Sequence, residues 1–212
     1  MSQQPVVIGF DLDMTLLDTR QGIAATWRAL TVRTGVHVDA DLAVSRLGPP
    51  LRQEMSEWFP AEQVEEAVDI YRSLYPAHAI APSVALPGAL EALDSVRRVR
   101  AQVVVITSKL GRLAELHLRH LGIQVDHVYG DVFAGGKADV LRSIGAALYV
   151  GDHVADMRAG VLAGVPAVGV TSGPCSEAEL RAAGAQAVFT DLHPFPAFLS
   201  GMISVGRAGS GD

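Results

Sequence analysis

Cysteine is almost missing from this chain: Cys175 is the only one in 212 residues. A lone thiol excludes an internal disulfide framework and suits a reducing compartment, so a cytoplasmic location is expected. Positive charge is also in deficit. Lys and Arg number 17 against 23 Asp and Glu, giving a formal net charge of −6, and no Lys/Arg-rich block occurs. Such a chain offers no basic field to a nucleic-acid backbone. Long apolar runs are absent as well, none approaching the ~20 residues needed to cross a bilayer. The opening MSQQPVVIGF has no basic segment, and its apolar run is too short for a signal peptide. Neither a membrane nor a nucleic acid is therefore an expected partner. What the chain does have is apolar mass. At 49% hydrophobic it can bury the core of one large domain, or of a domain with a smaller insert.

Short apolar runs alternate with helical patterns. Residues 5–10, 101–107, 125–130, 147–151, 166–170 and 186–190 read as strands. Most are nearly continuously apolar, as in a sheet covered on both faces. Between them, 110–122 carries Leu113, Leu116 and Leu121 at roughly helical spacing and stops at Gly122, while 153–164 ends at Gly164 with Pro166 beyond. This alternation predicts an α/β fold, a doubly wound Rossmann-like parallel sheet.

From Thr19 to Leu86 the rhythm breaks and no strand-like run occurs. Ile23, Trp27 and Leu30 share one helical face, closed by Gly35; Val64, Val68, Tyr71 and Tyr75 share another, with Glu62, Glu65, Glu66 and Asp69 turned outward. The expected organisation is an α/β core of 1–18 and 87–200, a helical insert of about four helices at 19–86, and a loose Gly/Ser-rich tail at 201–212.

In open α/β sheets ligands bind beyond the carboxyl ends of the strands. After the first strand, IGFDLDMTLLDT (8–19) places Asp11 and Asp13 two apart, followed by Thr15. Strand alternation would turn both carboxylates to one side. The first can attack phosphorus to form an aspartyl-phosphate, and the second can protonate the leaving oxygen and then activate water. A polar turn would also explain the pair. After the second strand stand Thr107, Ser108 and Lys109, suited to phosphate oxygens or to capping the next helix. Past Gly135 and Gly136, Lys137 lies near a helix start, where its charge opposes the macrodipole unless an anion offsets it. After the fourth strand Asp152 suits an N-cap, whereas Asp156, one turn on, lacks that explanation. Four carboxylates at one sheet edge repel unless a cation sits among them. Oxygen ligands without His or Cys favour Mg²⁺ over zinc.

These residues resemble the haloacid dehalogenase superfamily. DLDMTL matches its first motif, Thr107 the second, Lys137 the third and GDHVADMRAG the fourth, and the insert is similar to the family's small helical cap. The resemblance implies Asp11 as nucleophile and metal ligand and Asp13 as general acid/base. It implies Mg²⁺ held by the Asp13 carbonyl and Asp152, with Asp156 a ligand or a support behind the ligands. Thr107 and Lys137 would grip the phosphoryl group, with Ser108 beside them. Met14 stands where the family usually has Gly and Ala138 where it has Pro; the bulkier Met14 is expected to narrow the entrance.

Halide expulsion needs neither a leaving-group proton nor a cation, so Asp13 and the Asp152/Asp156 pair favour phosphoryl transfer. The expected substrate is a small phosphorylated metabolite, with water as acceptor (a phosphatase) or a sugar hydroxyl (a phosphomutase). A phospho-accepting or silent binding protein on the same fold would not need Asp13. The stretch 45–55, SRLGPPLRQEM, resembles the cap of phosphoglycolate phosphatases. Arg46 or Arg52 there suits a second anionic group of the substrate, or merely solvates a helix. His117 and His120 share a helix face without a third metal ligand and read as surface residues, and His153 reads as ordinary. A monomer or homodimer is expected.

Overall fold

Six aliphatic runs, rich in Val and Ile as pleated surfaces prefer, pair into one parallel sheet in the computed structural model, which describes residues 5–208. In chain order the elements begin with β1 (Val7–Phe10), β2 (Leu17–Asp18), α1 (Arg20–Thr34), α2 (Ala40–Ser45), α3 (Leu51–Met55), α4 (Val64–His78) and β3 (Val84–Ala85). They continue with α5 (Ala89–Arg98), β4 (Gln102–Ile106), α6 (Gly111–His120), β5 (His127–Tyr129), α7 (Gly135–Ser143) and β6 (Ala146–Gly151). The last are α8 (Val154–Ala163), β7 (Ala167–Val170), α9 (Glu177–Ala182), β8 (Ala187–Phe189) and α10 (Phe195–Ala208). The sheet order is β5-β4-β1-β6-β7-β8. Winding proceeds outward from β1 on one side, then returns to β6 and proceeds outward on the other. The switch point therefore lies between β1 and β6, where such sheets open a crevice.

Alternation sends successive side chains to opposite faces. Ile8, Phe10, Val103, Val105, Leu148 and Val150 meet residues of α5, α6 and α10, including Leu93, Leu118 and Phe195. Val104, Ile106 and Tyr149 face the other way, onto Ala138 and Leu141 of α7 and Ala159 of α8. Both faces are dry, which is why these strands read as unbroken apolar runs.

The helices α1–α4 have an apolar cluster of their own. Trp27 packs on Tyr71 with ring centroids 4.7 Å apart, joined by Ile23, Leu30, Met55, Val64 and Val68. The predicted faces are the observed ones: Tyr71 and Tyr75 are buried, while Glu62, Glu65, Glu66 and Asp69 are exposed. Gly35 closes α1 in the left-handed region at φ 75°, where a side chain would be strained.

Two features depart from the sequence reading. An antiparallel two-residue ladder pairs Leu17 with Ala85 and Asp18 with Val84, joining the ends of the helical segment; two residues are too few to leave a periodic signal. Residues 201–208, expected as part of a loose tail, continue α10. Phe195 and Leu199 dock the start of that helix in the core, and an already nucleated helix extends cheaply through weak formers. Residues 209–212 lie outside the described residues. Among the described residues no helix is long and apolar enough to cross a membrane.

Candidate active site

The switch point is where the predicted carboxylates meet. The Asp11 N–H extends the β1–β6 ladder, donating to the Val150 carbonyl at 2.8 Å, so its side chain emerges at the end of β1. Asp152 follows β6, and Asp156 lies in the first turn of α8. One carboxylate oxygen from each of Asp11, Asp152 and Asp156 falls within 4.8 Å of the others, and all three residues are buried. Lys137, from α7, donates to Asp11 Oδ1 at 2.9 Å and to Asp156 Oδ1 at 2.7 Å. Thr15 Oγ1 donates to Asp152 Oδ1 at 2.9 Å, so the threonine that follows the first aspartates fixes a carboxylate 137 residues away.

A single lysine among these buried carboxylates leaves a surplus of negative charge. Burial, with repulsion from Asp156 and Asp13, pushes the Asp11 carboxyl up to about 7 despite Lys137. Burial and the charges of Asp11 and Asp156 raise Asp152 well above the carboxylate range. Burial also works against the Lys137 charge, but Asp11, Asp156 and Tyr149 together outweigh it and hold the ammonium well above its ordinary value. The donors are oxygens, the side chains are pre-oriented, and positive charge is what the cluster lacks. Those conditions fit a hard divalent cation.

Asp13 is half-buried beside this cluster, and Thr19 Oγ1 donates to its Oδ1 at 2.5 Å. Lys109 Nζ reaches the same oxygen at 3.0 Å. Thr107 is buried at the end of β4, its Oγ1 accepting the Lys109 N–H at 3.1 Å. The Ser108 hydroxyl is spent on the Gly48 carbonyl, to which it donates at 3.0 Å. It ties the sheet to the helical layer. A cavity of about 170 Å³ lies between sheet edge and helices, with Asp11, Asp13 and Lys109 on one side and Trp27, Tyr71, Tyr75, Arg46 and Arg52 on the other. Arg46 is held by Glu54 at 2.6 Å over the Trp58 ring, with its Nε unpartnered. Arg52 pairs with Glu65 in an exposed contact.

Several expectations need correction. Asp152 is not an N-cap; His153 is, its ring accepting the Ala155 N–H at 3.1 Å. Asp156 does have a capping role, since its Oδ2 accepts the His153 N–H at 3.1 Å. The N3 position of a capping box accounts for it as well as the site does. His117 is fully buried rather than a surface residue, bonded to Tyr75 and Ser83. Its place between Leu113, Ala114 and Leu118, all buried, is the sequence signal that finds it. Met14 is buried and does not line the cavity. It sits at φ 61°, a left-handed conformation that explains why glycine is usual at that position.

Residues that sequence reasoning missed include Tyr149, whose hydroxyl donates to Asp156 Oδ1 at 3.2 Å. Gly173 is another: a Cβ there would lie 1.8 Å from Asp152 Oδ2. No signal in the sequence alone singles out either.

A doubly wound sheet thus presents buried carboxylates and a lysine at its switch point. The chain belongs to the haloacid dehalogenase-like hydrolase family, whose pattern matches residues 8–170. It is 33% identical over 141 residues to the tyrosine-protein kinase PtkA of Mycobacterium tuberculosis, covering 66% of this chain and 47% of that protein. The chain thus spans about half the length of that relative. It is 30% identical to a 5'-nucleotidase of Pseudomonas aeruginosa, covering 82% of this chain and 86% of the relative. A solved haloacid dehalogenase-like hydrolase from Streptococcus pneumoniae superposes with a TM-score of 0.79 at 24% identity, over 94% of this chain and 98% of that one.

Proposed function

We propose that this chain is a cytoplasmic Mg²⁺-dependent phosphatase that hydrolyses a small phosphate monoester through an aspartyl-phosphate on Asp11. The observation that carries the reading is the convergence of Asp11, Asp152 and Asp156 within 4.8 Å, with Lys137 bonded to two of them. In this reading residues 1–18 and 87–200 form the catalytic core and 19–86 a cap over it.

Asp11 attacks phosphorus in line while Asp13 hands a proton to the departing oxygen. Asp13 then takes a proton from water, which cleaves the acyl-phosphate. Lys137 and Thr107 hold the phosphoryl oxygens, Lys137 also orienting Asp11. When bound by Asp11, Asp152 and the Asp13 carbonyl, with Asp156 as ligand or support, Mg²⁺ would supply positive charge for the phosphoryl oxygens. The rate gain in such a site comes mainly from positioning and fixed charge. The cavity, at about 170 Å³, is close to the ~150 Å³ that admits benzene in an apolar core. That scale supports a compact leaving group such as glycolate or a short sugar.

A panel of phosphate esters (phosphoglycolate, sugar phosphates, nucleotides, pyrophosphate) assayed with Mg²⁺ for released inorganic phosphate tests the proposal. Asp11→Asn should abolish release while leaving the melting curve cooperative, and chelation should stop the native enzyme reversibly. Retained activity in Asp11→Asn would overturn the nucleophile. Isomerised product without phosphate release would favour a phosphomutase.

A further inference from the structure

We propose that Lys109 is a positioning residue for Asp13, pinning Oδ1 so that Oδ2 faces the reaction, and that it is itself held by a directed hydrogen-bond chain from the helical layer. The inference rests on the phosphatase reading above. Thr19 Oγ1 donates to Asp13 Oδ1 at 2.5 Å, and the Lys109 ammonium forms an ion pair with the same oxygen at 3.0 Å. Among the described residues nothing is bonded to Oδ2. With Oδ1 engaged by a hydroxyl and an ammonium, Oδ2 is the oxygen left free to give and take the proton. In the first half-reaction Asp11 forms a bond to phosphorus as the P–O bond to the alcohol breaks. The Oδ2 proton of Asp13 then passes to the departing oxygen, leaving alcohol and Asp13 carboxylate.

Lys109 cannot wander. Its side chain is only 8% exposed, its ammonium lies 4.6 Å from the centroid of the Tyr75 ring, and it donates to the Tyr75 hydroxyl. An ammonium has only donors, so Tyr75 accepts from Lys109 and turns its own proton to His117 Nε2, 3.0 Å away. His117 must then carry its proton on Nδ1 and donate to Ser83 Oγ at 2.8 Å. Ser83 completes the chain by donating to the Ile80 carbonyl at 2.5 Å. The two hydroxyls and both ring nitrogens of this chain are thereby bonded in one direction only. A buried histidine that contacts neither substrate nor metal ligand is thereby explained: it orients Tyr75, which orients Lys109, which orients the acid. Tyr75 belongs to α4, so the acid is seated only while the helical layer is in place.

A general acid matters most when the leaving oxygen is a strong base, which gives the test a readout that a purely structural role would not move. kcat/KM is measured with Mg²⁺ for p-nitrophenyl phosphate, whose leaving group needs little protonation, and for the alkyl phosphate turned over fastest. Lys109→Met should lower the alkyl value by ~100-fold and the aryl value by less than ~10-fold, the range a positioned acid supplies. Tyr75→Phe keeps the ring and removes the link, and should show the same preference at smaller size. It serves as the test should Lys109→Met not fold. Equal losses on both esters, or no loss on either, would overturn the assignment of Lys109 alone. A native enzyme that hydrolyses no ester would overturn the phosphatase reading and this inference with it.

Discussion

Lys137→Met is the perturbation whose size follows most directly from the geometry. Lys137 Nζ lies 2.9 Å from Asp11 Oδ1 and 2.7 Å from Asp156 Oδ1, and all three groups are buried. At an effective dielectric constant of about 20, one such contact is worth about 6 kcal/mol before desolvation is charged against it. Burying the ammonium costs several kcal/mol, which cancels much of that gain. Removing the cation recovers its desolvation but strands two carboxylates, so the net loss should be about 3–5 kcal/mol. For a chain of this length that corresponds to a fall in Tm of roughly 10 °C. The assay is thermal or urea unfolding in excess chelator at pH 8, where no divalent ion can substitute for the lysine. Lys137→Met/Asp156→Asn removes one stranded charge yet keeps an acceptor for the His153 N–H, and should recover roughly 1–2 kcal/mol. A loss below about 1 kcal/mol in the single variant, or no recovery in the double, would refute the idea that Lys137 is the main compensating charge.

Burial pulls the His117 ring down to about 4, aided by the Lys109 charge. Its unfolded value is higher, so the unfolded chain binds the proton first as pH falls. Stability from neutral His117 is therefore complete above about pH 6.5 and lost progressively towards pH 4, roughly 3 kcal/mol in all. Asp11, raised rather than lowered, contributes with the opposite sign over part of that range. The difference between native and His117→Gln unfolding profiles isolates the histidine, and parallel profiles would refute its assignment. Gly173→Ala would place a methyl 1.8 Å from Asp152 Oδ2 and push that carboxylate aside. Calorimetry on the folded variant should then show Mg²⁺ affinity lowered by at least ~10-fold, and unaltered affinity would count against Asp152 as a ligand.

What could be read from the residues was whatever each element declares about itself. Asp11, Thr107 and Asp152 mark the ends of apolar runs, and a parallel sheet brings all such ends to one edge, so their gathering follows from topology alone. Lys137 was legible for the same reason, through its place at a helix start. The proposed roles of Lys109, Tyr75 and His117 were not, because each acts only through a partner on a different element. His117 shows the difficulty in miniature: its helical face marks it as buried, but nothing local names Tyr75 and Ser83 as the groups that make burial tolerable. Met14 shows the converse. Its departure from glycine was visible, yet its consequence is a backbone conformation and not a constriction.

The short ladder between β2 and β3 has an implication for how such a chain diversifies. It pins the two ends of the helical segment side by side, a few residues from Asp13, so everything between them is entropically a closed loop. Loop-closure cost grows only logarithmically, about 0.6 kcal/mol for each doubling of length. Helices can accordingly be added, deleted or exchanged at this junction with little penalty to the sheet, while the catalytic edge keeps its register. A two-residue clasp thus separates the helical layer from the sheet and lets each vary at its own pace.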